Sequence, residues 1–390
     1  MRKWKELPQE AKTILYCILC AVLAGAMTAA VIVSSFGGLS GFQRAKKFAE
    51  INSVIQTYYV GEADVQAVDN AAFTAQIRAL GDRWSFYMSA ADYQNYVNYS
   101  NNQATGIGIT VVANTGTGEI SVFSVAAGTP AAMAGVVAGD VILSVAGEDM
   151  TGKSVGELSA AVAAQGTADF TLGLRGSDGA QREVTVHRET FSVESVSYKM
   201  LDENSKIGYV KLINFEAGSG QSAIDAVNDL IGQGAKGLIF DVRSNPGGQV
   251  SELTKFLDFL LPEGDIFVSV GRDGKEEVTT SDAASVDLPM AVLINKDSYS
   301  AAEFFAAALH EYGKAFTVGE ATTGKSRSQI TVVLGDGSAV HISSRTYLTP
   351  RRVDLAAQGG LKPDYPVEMA AQGDAQLDAA RERLISGLTP

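Results

Sequence analysis

The run TILYCILCAVLAGAMTAAVIV, Thr13 to Val33, restricts this chain more than any other stretch: 21 uncharged and mostly apolar residues stand together. As a helix they are long enough to cross a hydrocarbon core of roughly 30 Å. Arg2, Lys3, Lys5 and Lys12 precede the run, so the positive-inside rule keeps the chain start cytoplasmic and sends the residues after Val33 across the membrane. A removed signal segment is the alternative, with Ala24 and Ala26 offering small residues for cleavage, but the run exceeds a usual signal core and favours a retained anchor. Both cysteines, Cys17 and Cys20, fall inside it. The exported part therefore has no disulfide, no thiol nucleophile and no cysteine-ligated zinc.

Beyond the run, the hydrophobic period changes twice. FQRAKKFAEINSVIQTYYV puts Phe42, Ala45, Phe48, Ile51, Ile55 and Tyr58 on one helical stripe, and the helical habit continues toward Asn102. Residues 104 to 190 then read as short alternating strands (TGIGITVV, EISVFSV, DVILSVAG, DFTLGLRG, EVTVHRE) with one helix, SVGELSAAVAAQ, which suggests a compact β-rich module. From about Phe191 strands such as GLIFDV and MAVLIN alternate with helices such as SAAEFFAAALHEYG, the pattern of an α/β domain. The tail beyond Pro366 reads as a fraying helix. The expected organisation is multidomain α/β: a tip and anchor over 1–40, a helical subdomain over 41–103, the β-rich module over 104–190, the α/β core over 191–370 and a tail over 371–390. A formal net charge of -13 disfavours nucleic acid as a partner.

Two octets, GEDMTGKS (147–154) and GEATTGKS (319–326), fit the phosphate-binding loop G-x-x-x-x-G-K-[ST]. Such a loop needs a helix after the Lys-Ser pair, whose positive end faces the anion. After Lys325 comes SRSQITVVLGDGSAVHIS, a hairpin with a Gly-Asp-Gly turn, so the later octet fails on context. In the earlier octet Glu148 and Asp149 would repel an anion, and Ser154 with Glu157 spells a capping box for the next helix. The overlapping GKSVG matches a serine elbow only in letters, because no histidine partner accompanies it.

Three other stretches carry chemistry. In MAVLINKDSYSAAEFFAAALHEYG a buried strand and a polar turn lead to a helix starting at Ser300, where backbone amides can hold a developing oxyanion; Ser300 and Glu303 also spell a capping box. A serine needs a base, and the only histidines, His187, His310 and His341, read as structural or surface residues. A buried lysine with a lowered pKa can replace them, and Lys325 is a candidate, although an unpaired surface lysine would look the same. GLIFDVRSNPGGQV ends in Gly247 and Gly248, whose amides can approach a ligand closely, as could those of a purely structural turn. No His/Asp/Glu spacing points to a catalytic metal.

FDVRSNPGG, DSYSAAEFFAAAL, VGEATTGKSRSQ and YLTPRRVDLAAQGGLKPDYPVE, with ALGDRWSFYM upstream, resemble in order and spacing the carboxyl-terminal processing (tail-specific) proteases over most of residues 75 to 368. The resemblance implies a core of ClpP/crotonase type in which Ser300 is the nucleophile, Lys325 the general base and Gln329 the residue that orients it. Gly247 or Gly248 with Ala301 would form the oxyanion hole. The segment after Lys325 lacks the usual small residue, and TPRRVDLAAQGG is slightly long; neither departure removes a catalytic group. The β-rich module resembles a PDZ domain, with Gly106, Ile107, Gly108 and Ile109 as its carboxylate-binding loop. A bound peptide tail would add a strand beside Ile107 to Thr110 with its last side chain in an apolar pocket. The implied activity is that of an extracytoplasmic, membrane-held serine endopeptidase acting on proteins with apolar C-terminal tails, without metal or organic cofactor. Homo-oligomerisation stays open, and the rival readings are a catalytically silent peptide-binding scaffold and an NTPase.

Overall fold

The computed structural model describes residues 8–114, 116–201, 204–370 and 372–388. Arg2, Lys3 and Lys5 lie outside them. The chain divides into two compact units, one up to Ala75 and one from Gln76 onward. In the first, helix α1 (Gln9–Ser35) carries the apolar run; its most apolar 18-residue window has a mean hydropathy of 2.4, and none of the helix's residues is buried. By length and composition it can cross a membrane. Helices α2 (Leu39–Tyr58) and α3 (Val65–Arg78) come next, with Phe48 stacked on Phe73 at 5.7 Å and Asn52 Nδ2 donating to Asp69 Oδ1.

The second unit starts earlier than the sequence suggests. Residues 76–103, expected with the helical subdomain, fall in this unit instead. They contain strand β1 (Phe86–Met88) and helix α4 (Ala90–Ser100), whose N-cap Ser89 accepts from the Asp92 N–H. Strand β2 (Gln103–Gly106) then leads into the β-rich module: β3 (Ile109–Ala113), β4 (Ile120–Val125), a short α5 (Pro130–Met133), β5 (Val141–Val145), β6 (Glu148–Asp149), α6 (Val155–Ala164), β7 (Phe170–Arg175) and β8 (Gln181–Val186). The sheet runs β3-β4-β5-β7-β8, so β3 is an edge. The capping box expected at Ser154 is made: its Oγ accepts from the Glu157 N–H, and its N–H donates to Glu157 Oε2 at 2.8 Å. The chain leaves the module through β9 (Glu189–Ser192), antiparallel to β2.

The α/β core comprises β10 (Val196–Met200), β11 (Ile207–Leu212), α7 (Ser219–Gly232), β12 (Gly237–Asp241), α8 (Val250–Leu260), β13 (Gly264–Val270), β14 (Glu276–Ser281), β15 (Met290–Ile294), α9 (Ala301–Glu311), β16 (Ala315–Gly319), β17 (Arg327–Val333), β18 (Ala339–Leu348), β19 (Tyr365–Pro366) and α10 (Ala375–Leu388). Its main sheet is ordered β10-β11-β12-β15-β16-β19 and is parallel from β11 onward. Such strands are buried on both faces and read as unbroken apolar runs, as GLIF and MAVLI do. Leu238, Phe240, Val292 and Ile294 point to the side covered by α7, α8 and α9; Ile239, Ala291 and Leu293 point to the other. That second face explains a correction at the C-terminus. The tail expected to fray is helix α10, whose Ala380 and Leu384 are buried against Ile239 and Leu293. Arg243 ties it down, pairing with Asp241 inside the sheet and with Asp374 ahead of the helix at 2.7 Å each. The second sheet runs β1-β18-β13-β14, with β17 also on β18. The β17–β18 hairpin after Lys325 is the one read from the sequence, and Phe86 of β1 sits opposite His341.

Candidate active site

Ser300 ends the loop that leaves β15 and begins α9. It is 8% exposed, with φ 58° and ψ -127°. A side chain at positive φ carries strain of about 1–3 kcal/mol, tolerated where the surroundings over-determine the backbone. Here they do. Asn295 Oδ1 accepts from the Ser244 N–H at 2.9 Å, Ser298 Oγ donates to the Val242 carbonyl at 2.7 Å, and the Tyr299 N–H donates to the Asn245 carbonyl. These bonds sew the serine loop to the loop after β12.

The two glycines of that second loop differ. Gly247 donates its N–H to Asn245 Oδ1 at 2.8 Å, so of the two amides considered for an oxyanion hole it is already engaged. Gly248 is held by its neighbours: the Phe215 N–H donates to the Gly247 carbonyl and the Gln249 N–H to the Phe215 carbonyl, both at 2.7 Å. Among the described residues its own N–H has no protein partner, nor does that of Ala301, the first residue of α9. Only glycine fits at 248. Its φ is 148°, and a Cβ there would lie 2.3 Å from the Phe215 carbonyl carbon.

Glu303 joins the serine to the lysine loop. Fully buried, its carboxylate accepts from the N–H groups of Ser300 (3.0 Å), Gly324 (2.6 Å) and Lys325 (2.8 Å) and from Thr322 Oγ1 (2.5 Å). Burial nevertheless raises its pKa, the four bonds offsetting only part of the desolvation. Lys325 lies between this loop and the start of β17. Its Nζ stands 4.6 Å from the ring centre of Trp84 and 5.9 Å from that of Tyr299. Burial brings its pKa from 10.5 down to about 8, although the Asp82 and Glu303 carboxylates pull it up. Among the described residues no hydrogen bond joins Nζ to Ser300 Oγ. Gln329, expected to orient the lysine, donates to Ser343 Oγ and the Arg327 carbonyl at 3.0 Å each and makes no hydrogen bond to it.

Ser300, Lys325, Gln329 and Gly248 all line one cavity of about 300 Å³, together with Glu216 and His341. His341, read from the sequence as structural or superficial, packs on Phe86 at 4.8 Å, hydrogen-bonds Thr331 Oγ1 through Nδ1, and is held neutral: burial lowers its pKa to about 4. His310 pairs with Asp364, and His187 lies 3.6 Å from both Asp169 and Glu189. Trp84 and Asp82, which act on Lys325, and Glu216 of the cavity lining were among the residues not picked out from the sequence. Only the presence of GDRW in an upstream stretch resembling the family hinted at the first two; Glu216 carries no such signal.

The β-rich module holds a second cavity, of about 660 Å³, between edge strand β3 and helix α6, lined by Gly106, Ile107, Gly108 and Ile109 on one side and Leu158 and Val162 on the other. Gly108 has φ 88°, and a Cβ there would meet Thr129 Oγ1 at 2.2 Å. Ile107 is buried, its carbonyl accepting from the Ala131 N–H at 2.9 Å. An open strand edge beside an apolar helix is the geometry of β-strand addition.

A strained serine at a helix start and a desolvated lysine in one cleft, with free amides at Gly248 and Ala301, belong with serine-type peptidases, and that is the class of this chain. Residues 206–367 match peptidase family S41 and residues 122–176 match the PDZ domain. The chain is 29% identical over 370 residues to the carboxy-terminal processing protease CtpA of Bacillus subtilis (strain 168), covering 93% of this chain and 78% of that protein. It is 29% identical over 329 residues to the carboxyl-terminal-processing protease of Synechocystis sp., covering 81% and 77%. The solved photosystem II D1 C-terminal processing protease superposes with a TM-score of 0.50 at 25% identity, over 91% of this chain and 94% of that one. The chain thus carries a peptidase family S41 domain and a PDZ domain and is similar over most of its length to carboxyl-terminal processing proteases.

Proposed function

We propose that the chain is a membrane-held, extracytoplasmic endopeptidase that uses Ser300 and Lys325 as a dyad on proteins chosen by their C-terminal tails. Neutral Lys325 Nζ takes the proton from Ser300 Oγ as the Oγ–C bond forms at a peptide carbonyl. The Gly248 and Ala301 N–H groups receive the oxyanion. The ammonium then protonates the leaving amine as the C–N bond breaks, and the amine again accepts a proton when water attacks the acyl-enzyme. Gly247 is left out of the hole because its N–H is spent on Asn245. Gln329, through Ser343, steadies the β17–β18 hairpin from which Lys325 extends. The tail adds a strand to β3 and places its last side chain toward Leu158 and Val162, with the loop at Gly106 to Ile109 receiving its carboxylate.

The observation that carries this reading is the shared cavity: Ser300, beside free amides, lines the same cavity as Lys325, whose pKa burial has brought to about 8. One observation favours the silent scaffold, namely the missing Oγ–Nζ hydrogen bond, although such bonds commonly tighten only when substrate binds. The test is cleavage of an unfolded protein with an apolar tail by the wild type, Ser300→Ala and Lys325→Ala, without ATP. Cleavage by the wild type alone, rising with pH through about 8, supports the dyad. Equal cleavage by a folded Lys325→Ala protein refutes it.

A further inference from the structure

Glu216 is the one buried acid of the cleft that the proposed chemistry does not use. It is 8% exposed, lines the same cavity as Ser300 and Lys325, and comes directly after Phe215, whose backbone brackets Gly248. A Cβ at Gly248 would lie 2.8 Å from the Glu216 backbone nitrogen, so the backbone that carries Glu216 packs directly against Gly248. Its Oε2 accepts from Gln249 Nε2 at a long 3.3 Å, and its Oε1 has no protein partner among the described residues. Tyr96, Tyr99, Tyr299 and Tyr347 line the same cavity. A half-paired buried carboxylate among tyrosine rings is the chemistry that receives a cation: an ion-paired hydrogen bond to the oxygen and ring faces for the charge. Burial raises the Glu216 pKa to about 7, against the Gln249 hydrogen bond. A group held at that cost with a single long hydrogen bond gains from a further partner.

Resting on the peptidase reading, we infer that Glu216 forms a specificity subsite for a cationic side chain, lysine or arginine, at one of the two residues flanking the scissile bond. With Lys325 in its neutral, working form the cavity's charged lining is this carboxylate alone among its Lys, Arg, Asp and Glu residues. The substrate cation then meets attraction rather than repulsion.

The experiment uses the full chain in detergent micelles at pH about 9, above the pKa of both Glu216 and Lys325. Peptides sharing one apolar tail differ only in carrying lysine or its uncharged isostere norleucine at each flanking position in turn. At one position the wild type should favour lysine by at least about 10-fold in kcat/KM, the scale of one charge-assisted hydrogen bond. Glu216→Gln should bring that ratio toward one, and Glu216→Lys should favour a glutamate peptide instead. Should the variants fold poorly, n-butylammonium competes in the wild type: it should inhibit the lysine peptide where n-butanol does not. A wild-type ratio near one at both positions, or a ratio preserved in Glu216→Gln, overturns the subsite. In that case Ser300-dependent cleavage of all peptides leaves the peptidase reading standing. Peptides uncut by wild type and Ser300→Ala alike sink both.

Discussion

Replacing Trp84 with alanine asks whether burial of one amine sets the working pH. Lys325 is brought from 10.5 to about 8, which at 1.36 kcal/mol per pKa unit disfavours the ammonium by about 3 kcal/mol. At pH 7 roughly one amine in ten is then neutral, against about three in ten thousand at the ordinary value, so desolvation supplies about 300-fold more base. Two effects oppose each other when the indole is removed. Losing a ring 4.6 Å from Nζ forfeits a cation–π attraction of about 0.5–2 kcal/mol that favours the charged form. Admitting water favours the charged form too, and burial is the first cause of the shift, while Tyr299 still offers a ring at 5.9 Å. Hydration therefore wins, and the pKa rises. The acid limb of kcat/KM should move up by about one unit or more, costing roughly 10-fold at pH 7 and recovering near pH 10. Glu216 titrates at about 7, so the profile is measured in a Glu216→Gln background with an uncharged peptide. A limb that stays at about 8 while the plateau falls at every pH, or one that moves down, refutes the reasoning.

The same lysine makes the fold pH-dependent. Its folded pKa lies below the unfolded one, so between about 8 and 10.5 the unfolded chain binds more protons and stability rises with pH; below 8 the penalty is present in full. Lys325→Met should therefore abolish cleavage yet stabilise the protein at pH 7 by about 1–3 kcal/mol, read by thermal unfolding, and a lower melting temperature contradicts the assignment of burial as the cause. Gly248→Ala, with its Cβ 2.3 Å from the Phe215 carbonyl carbon, should push the loop off the serine and lower kcat by about 100-fold or more, with KM for a tail peptide little changed. A proportionate rise in KM with kcat intact would mean the glycine serves binding instead.

Much of this molecule was legible in residue order. MAVLI reads as a buried strand because both faces of β15 are covered, and SRSQITVVLGDGSAVHIS reads as a hairpin because its alternation matches one sheet face. The capping box at Ser154 and the failure of both phosphate loops come from local physics alone. The parts that were not legible depend on contacts between distant segments. Trp84 belongs to the lysine only because Phe86–Met88 pairs with Ala339–His341 and carries the indole over the hairpin. The tail α10 docks because the Ile239 and Leu293 face needs cover, a demand that its own mixed composition does not announce. Glu216 has a meaning only once the Phe215 backbone is seen to bracket Gly248. The choice between Gly247 and Gly248 likewise turns on one side chain, Asn245, taking one of the two amides.

Glu303 shows why a structural and a chemical reading of the same residue need not compete. S-x-x-E at Ser300 predicts a carboxylate that reaches back to the serine N–H, and it does so at 3.0 Å. The remaining lone pairs then accept from Thr322, Gly324 and Lys325, which belong to the lysine loop. Both loops thus hang from one buried carboxylate through their backbones, and the separation of Ser300 Oγ and Lys325 Nζ is left to their side-chain torsions. The charge also raises the lysine's pKa, working against the burial that frees its amine. A neutral acceptor would spare that opposition, but it would bind three N–H groups and a hydroxyl less strongly, since hydrogen bonds to a charged group contribute about 1.5–3 kcal/mol against about 1 for a neutral one. For the dyad proposed above alignment is the larger requirement, because a serine and base displaced by an ångström lose on the order of 100-fold whatever the pKa of the base.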